Sequence, residues 1–206
     1  MRLLLIRHGQ TPGNVLGQLD TAHPGPGLTE FGTAQAEQLA STLADADVGA
    51  LFASTLVRTQ LTATPLALAR GIDVEIRPGL HEISAGDLEL RSDRESINRY
   101  LKVVYAWGLG DLGATMPGGA DGHEFFGRFD SDIAAIANSG VDVAAAVSHG
   151  ASIRVWVSSR AHNVAPSFGA ENALDNTGIV TLEGSPSEGW TLIDWAGTPV
   201  GQAAPA

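Results

Sequence analysis

Two segments of this chain end alike, LLLIRHG at 3–9 and AAAVSHG at 144–150. In each, four apolar residues run without interruption into a polar residue, a histidine and a glycine. Such a run is too short to cross a bilayer and too unbroken for a strand with one wet face, so each reads as a strand buried on both sides. Strands of that kind belong to the middle of parallel sheets covered by helices. Parallel α/β sheets bind ligands beyond the carboxyl ends of their strands, where Arg7, His8 and His149 fall.

The rest of the sequence alternates in the same sense. LTEFGTAQAEQLASTLA reads as a helix capped by Thr29, with Ala36, Leu39 and Leu43 on its inner side. VGALFAS at 48–54 reads as a strand, followed by a helix from near Ser54 to Gly71 that Pro65 kinks or splits. IDVEIRP reads as a short strand, and GQTPGNVLGQLDTAHPGPG as a glycine- and proline-rich loop. A capping box at Ser92 to Glu95 predicts a helix running to Trp107, and HEFFGRFDSDIAAIA a second one. SIRVWVSSR is a helix, TGIVTLE and WTLIDW are closing strands that suit a hairpin, and the tail GTPVGQAAPA is expected to fray. The sum is an α/β/α sandwich of three layers around a mostly parallel sheet of about six strands. One domain over 1–206 is expected, with a less regular, lid-like segment at about 83–122.

Composition narrows the chemistry. With no cysteine, thiol catalysis, disulfides and thiolate metal sites are excluded. A net charge of -11 repels phosphate backbones, so neither a nucleic acid nor an acidic membrane is the expected partner. Small phosphorylated metabolites are bound by a few converging donors, and 11 of the 12 basic residues are arginine. That bias also fits a GC-rich coding preference. MRLLLIRHG lacks the parts of a secretory signal, and a cytoplasmic location is the expectation.

Other catalytic patterns fall away. GLGDLG at 108–113 follows a helical stretch and opens no helix, so it lacks the context of a dinucleotide loop. HEFFG lacks a second histidine, His81-Glu82 has no partner at ligand spacing, and neither a P-loop nor a GxSxG elbow occurs. No metal and no cofactor is expected.

At Arg7-His8-Gly9-Gln10-Thr11 the chain resembles the histidine phosphatase superfamily, the phosphoglycerate mutase-like proteins. LTEFGTAQAEQLA is similar to that family's LTxxGxxQA helix, STLVRTQLTA to its second arginine motif, and VSHGASIR to the motif of its second histidine. The order and spacing hold from residue 2 to about residue 182. The resemblance implies the phosphoglycerate mutase-like fold and a phosphohistidine on His8. Arg7, Arg58 and His149 would ring the transferring phosphoryl, with Gly150 beside them, and Glu82 would handle the proton. Asn14 stands where many members keep an asparagine, and it either touches phosphate or caps a turn.

Two stretches depart from the family. Where members read GDWEG this chain reads GDLELRSD, with Leu88 for the aromatic and Leu90 for the last glycine, and PGGES is replaced by PGGADGHEF. These changes touch the substrate pocket and leave the transfer chemistry alone. Arg91, Arg94, Arg99 and Lys102 lie on one expected helix, where they either bind the rest of the substrate or form a solvated face paired with Asp93 and Glu95. The expected function is metal-independent hydrolysis of a small phosphomonoester. A cofactor-dependent mutase is the alternative and a non-catalytic phosphate-binding protein the more distant one, with a homodimer left open.

Overall fold

A computed structural model describes residues 1–201. Its frame is one sheet of seven strands, one more than expected, in the order β3-β2-β4-β1-β5-β6-β7. The strands are β1 (Arg2–Arg7), β2 (Ala50–Ala53), β3 (Val74–Ile76), β4 (Val143–Ser148), β5 (Ile179–Ser185), β6 (Gly189–Trp195) and β7 (Thr198–Pro199). β3, β2, β4 and β1 are parallel, and β5, β6 and β7 continue the sheet antiparallel. β7 corrects the expectation of a frayed tail over its first residues, because Thr198 and Pro199 pair with Trp195 and Asp194. Residues 202–206 of that tail lie outside the described residues.

The two apolar runs are neighbours. β1 and β4 pair in parallel register with Arg7 opposite Ser148, so the next residues, His8 and His149, leave the sheet side by side. Leu3, Leu5, Ala144 and Ala146 point to one face, and Leu4, Ile6, Ala145 and Val147 to the other, all of them buried. Continuous hydrophobicity is what a strand with helices on both sides requires.

The second of these faces is covered by α2 (Glu30–Thr42) and α3 (Val57–Arg70) through Leu39, Ala63 and Leu66. The first is covered by α4 (Arg94–Gly108), α5 (Gly122–Ala137) and α6 (Gly150–Arg160), whose Trp107, Phe125, Phe129 and Trp156 fill the larger core. Two short helices, α1 (Pro12–Leu16) and α7 (Phe168–Glu171), lie at the rim. No helix among the described residues is long and apolar enough to cross a membrane.

Three local expectations are corrected. The loop after β1 contains α1, because Thr11 and Asn14 form a reciprocal capping box and Pro12 stands at the first helical position. α3 begins at Val57 and not at Ser54, whose hydroxyl and carbonyl are already bonded to Thr59, and the helix continues through Pro65. α4 is capped by Asp93 and not by Ser92. The Asp93 carboxylate accepts hydrogen bonds from the Ser96 amide and hydroxyl, and those bonds, followed by Arg91, hold its pKa down at about 2.

Candidate active site

The carboxyl ends of three parallel strands converge on one cleft. β1 delivers Arg7 and His8 to its wall, whereas His149 at the end of β4 and Ser54 at the end of β2, on the far side of β4, are fully buried beside it and do not line it. The rings of His8 and His149 lie 5.2 Å apart between centroids. The glycine after each permits a close contact that a side chain would block. A Cβ on Gly9 would stand 2.7 Å from the Gly32 carbonyl of α2, and one on Gly150 would stand 3.2 Å from Arg7 Nε.

His8 is fixed at one nitrogen. Its Nδ1 lies 2.7 Å from the Gly9 carbonyl, which can only accept, so Nδ1 carries the proton and Nε2 presents a lone pair. Burial, followed by the positive charges of Arg58 and Arg7, pushes the pKa of His8 well below its ordinary value. The ring is therefore neutral at pH 7, as a nitrogen nucleophile must be.

Around it stand donors with nothing to donate to. Arg58 is 2 % exposed, yet its Nε and Nη1 have no hydrogen-bond partner, and only Nη2 is bonded, to the Asp20 carbonyl. Arg7 Nε is unpartnered too, while its Nη1 is tied to the Leu174 carbonyl. His149 Nδ1 is a fourth buried polar atom with no partner. Orphaned buried donors are costly, and several around one point describe an anion site.

Asn14 caps a turn, one of the two ways that the sequence allowed, and also lines the cleft. Its Oδ1 accepts from the Thr11 amide, which caps α1, and from Asn176 Nδ2. Glu82 closes the other side. Its Oε1 accepts from the Ile83 and Ser152 amides and from the Ser152 hydroxyl, whereas Oε2 has only the Ala151 amide at 3.2 Å. His149, the residue before α6, makes no side-chain cap, so the Glu82 carboxylate serves the first amides of that helix from 70 residues away. Oε2 is left with the one long contact to the Ala151 amide.

The cleft encloses about 180 Å³ and is lined by Arg7, His8, Asn14, Arg58, Glu82 and Gly150 from the sequence reading. It also holds residues that the sequence reading missed. Asp20 approaches Arg58 Nη1 at 3.9 Å, Tyr100 reaches in from α4 with its hydroxyl donated to the Ile83 carbonyl, and Arg154 lies one turn into α6. Arg154 was readable, since residues i and i+4 of a helix share a face and Gly150 was already placed. Asp20 and Tyr100 had no such signal.

Arg91, Arg94, Arg99 and Lys102 are not brought to the cleft. All four are exposed, none lines it, and Arg91 pairs with Asp93. The face of α4 turned to the site is the one bearing Tyr100. A larger groove of about 760 Å³ lies elsewhere, but Asp45, Asp47, Asp175 and Asp194 set four carboxylates against the one guanidinium of Arg2. That charge balance suits no phosphate. No group of three or more histidine, aspartate or glutamate side chains that could hold a metal occurs among the described residues.

A mixed sheet with two histidines and Arg7 at the ends of its parallel strands, joined by Arg58 from α3, defines a phosphate-handling class of α/β protein. The chain belongs to the histidine phosphatase superfamily (branch 1), whose family model matches residues 3–198. It is 38% identical over 97% of its length to PE-PGRS family protein PE_PGRS11 of Mycobacterium tuberculosis, of which it covers 37%. It is 34% identical to the adenosylcobalamin/alpha-ribazole phosphatase of Salmonella typhimurium over 62% of each chain. The chain thus spans less than two thirds of both relatives. Among solved structures it is similar to the alpha-ribazole phosphatase from Shigella flexneri, at 28% identity and a TM-score of 0.76, covering 99% of this chain and 100% of that one.

Proposed function

We propose that this chain hydrolyses the phosphomonoester of a small metabolite through a phosphohistidine on His8. The observation that carries the reading is the bare Nε2 of a neutral His8 set among the unpartnered nitrogens of Arg7, Arg58 and His149. In the first half-reaction Nε2 attacks phosphorus, the ester P–O bond breaks, and Glu82 Oε2 gives its proton to the departing oxygen. In the second, Glu82 takes a proton from water as the water oxygen attacks phosphorus, the N–P bond breaks, and phosphate leaves with His8 restored. Through both, the transferring group spreads its charge over three oxygens, which the two guanidinium groups, His149 and the Asn14 amide are placed to meet.

The similarity to alpha-ribazole phosphatases supports a small phosphorylated substrate. The cleft supports hydrolysis over mutase chemistry, because a mutase must also hold a second anionic group. The four cations that could have done so stand outside, and Arg154 is the one further cation on the wall.

The test is acid-quenched mass spectrometry during turnover of a nitrophenyl phosphate, in the presence of a chelator. An adduct of about 80 Da on the peptide holding His8, with inorganic phosphate released, is the expected result. An active His8→Ala variant, or turnover that needs an added metal, would overturn the proposal.

A further inference from the structure

The mechanism asks more of His149 than its position. It must donate a hydrogen bond to a phosphoryl oxygen, and a neutral imidazole has only one proton to give. Burial, followed by the charge of Arg58, keeps the pKa of His149 well below its ordinary value, so a second ring proton is not available near pH 7. Which nitrogen carries the single proton then decides whether His149 can act at all.

The two nitrogens have different surroundings. Nδ1 is buried and unpartnered on a ring that faces His8, whereas Nε2 lies 2.7 Å from Ser54 Oγ. The Ser54 hydroxyl has one proton and two candidate acceptors, His149 Nε2 and Thr59 Oγ1 at 3.0 Å. The Thr59 hydroxyl donates to the carbonyls of Leu56 and Ser54 and its oxygen remains an acceptor for Ser54, but the Leu56 amide already donates to Ser54 Oγ from 3.3 Å, and of the two acceptors open to the Ser54 proton His149 Nε2, at 2.7 Å, is the nearer.

We propose that Ser54 is a positioning residue that donates its hydroxyl proton to His149 Nε2 and so holds the His149 proton on Nδ1, aimed at the phosphoryl group. The topology makes this contact available, because β2 and β1 flank β4 and their ends bring Ser54 to one side of His149 and His8 to the other. The two histidines are then held in the same tautomer by opposite means. His8 donates from Nδ1 to a carbonyl that can only accept, and His149 accepts at Nε2 from a hydroxyl that donates. One ring is left to attack and the other to donate. A side chain of this sort acts through the histidine and touches no substrate.

The inference rests on the proposed phosphoryl transfer at His8, and the experiment separates the two. The ring nitrogens of the histidines are labelled with 15N, His149 is assigned from the spectrum of a His149→Gln variant, and its tautomer is read in the unmodified chain with and without inorganic phosphate. The expected result is a proton on Nδ1 in both states. In Ser54→Ala the proton should redistribute toward Nε2, and kcat/KM should fall about ten-fold, short of the about 10²- to 10³-fold cost of deleting a whole oxyanion donor. Ser54→Thr, which keeps the hydroxyl, should restore the Nδ1 proton. A proton on Nε2 in the unmodified chain, or a Ser54→Ala variant with tautomer and turnover unchanged, would overturn the role of Ser54. The His8 adduct is scored separately, so its absence counts against the proposed reaction and its presence beside an Nε2 proton counts against Ser54 alone.

Discussion

At the scale of single residues, position and not charge decides which cations can serve the site. Arg154 and the four cations of α4 and its approach differ little in chemistry, yet only Arg154 lines the cleft, with its Nε donated to the Gly169 carbonyl and its guanidinium over Tyr105. Neutralising Arg91, Arg94, Arg99 and Lys102 together should leave kcat/KM within about two-fold for small and bulky esters alike, since exposed charges at that distance are screened by salt. Arg154→Gln should instead weaken turnover of esters bearing a second acidic group by about ten-fold and leave an aryl phosphate nearly untouched. Initial rates on the two substrate classes check both expectations. An equal loss on both classes would mean that Arg154 only braces α7. Arg7, His8 and His149 of the candidate site were legible in the sequence because strand ends fix their places. Arg58 and Glu82 were legible only through the family resemblance, since nothing in their local pattern says that they turn inward.

At the scale of elements, the departures from the family find a physical reading in one backbone angle. Leu90 stands where the family keeps a glycine, and it adopts φ 60 with its side chain 58% exposed. Its amide donates to the Leu19 carbonyl while the Leu19 amide donates to the Arg91 carbonyl, so this angle is fixed by a clasp between the segment after α1 and the segment before α4. A left-handed conformation costs an ordinary residue about 1–2 kcal/mol, and glycine gives back about 0.5–1 of that in the unfolded chain. Leu90→Gly should therefore raise stability by about 0.5–1 kcal/mol, or about 2 °C in Tm, with activity unchanged. A calorimetric scan that finds the variant less stable would mean that the leucine side chain does more than it appears to on the surface. The longer elements were readable from their periodicity, whereas α1 and β7 were not. A five-residue helix among glycines and a two-residue strand owe their form to caps and partners more than to pattern.

Across the whole molecule, two buried histidines, His8 and His149, and the half-buried His81 make the fold sensitive to acid. His8, His81 and His149 all have pKa values depressed below the ordinary 6.5, in each case chiefly by burial. The unfolded chain takes up protons at these residues as pH falls below 6.5, and the folded chain does not until lower pH. The unfolded state then binds more protons, so stability is full above pH 6.5 and declines as pH falls below it. Asp93, held at about 2, adds its own loss only below the ordinary aspartate value of 3.8. The urea midpoint should accordingly drop between pH 7.5 and pH 5, and His81→Asn should flatten part of that drop. A midpoint constant over this range would contradict the burial of neutral histidines.

The strand order also governs when the site can come into being during synthesis. β1 is made before every other strand of the sheet, but its neighbours on either side are β4 and β5, from residues 143–148 and 179–185. Until those segments emerge, LLLI has no native strand to pair with, and an unpaired apolar strand is the kind of segment that aggregates or recruits chaperones. The candidate site thus cannot assemble before β4 is made, because His8 waits more than a hundred residues for His149. A chain cut short before β4 would therefore be a client for proteolysis before its histidines could meet.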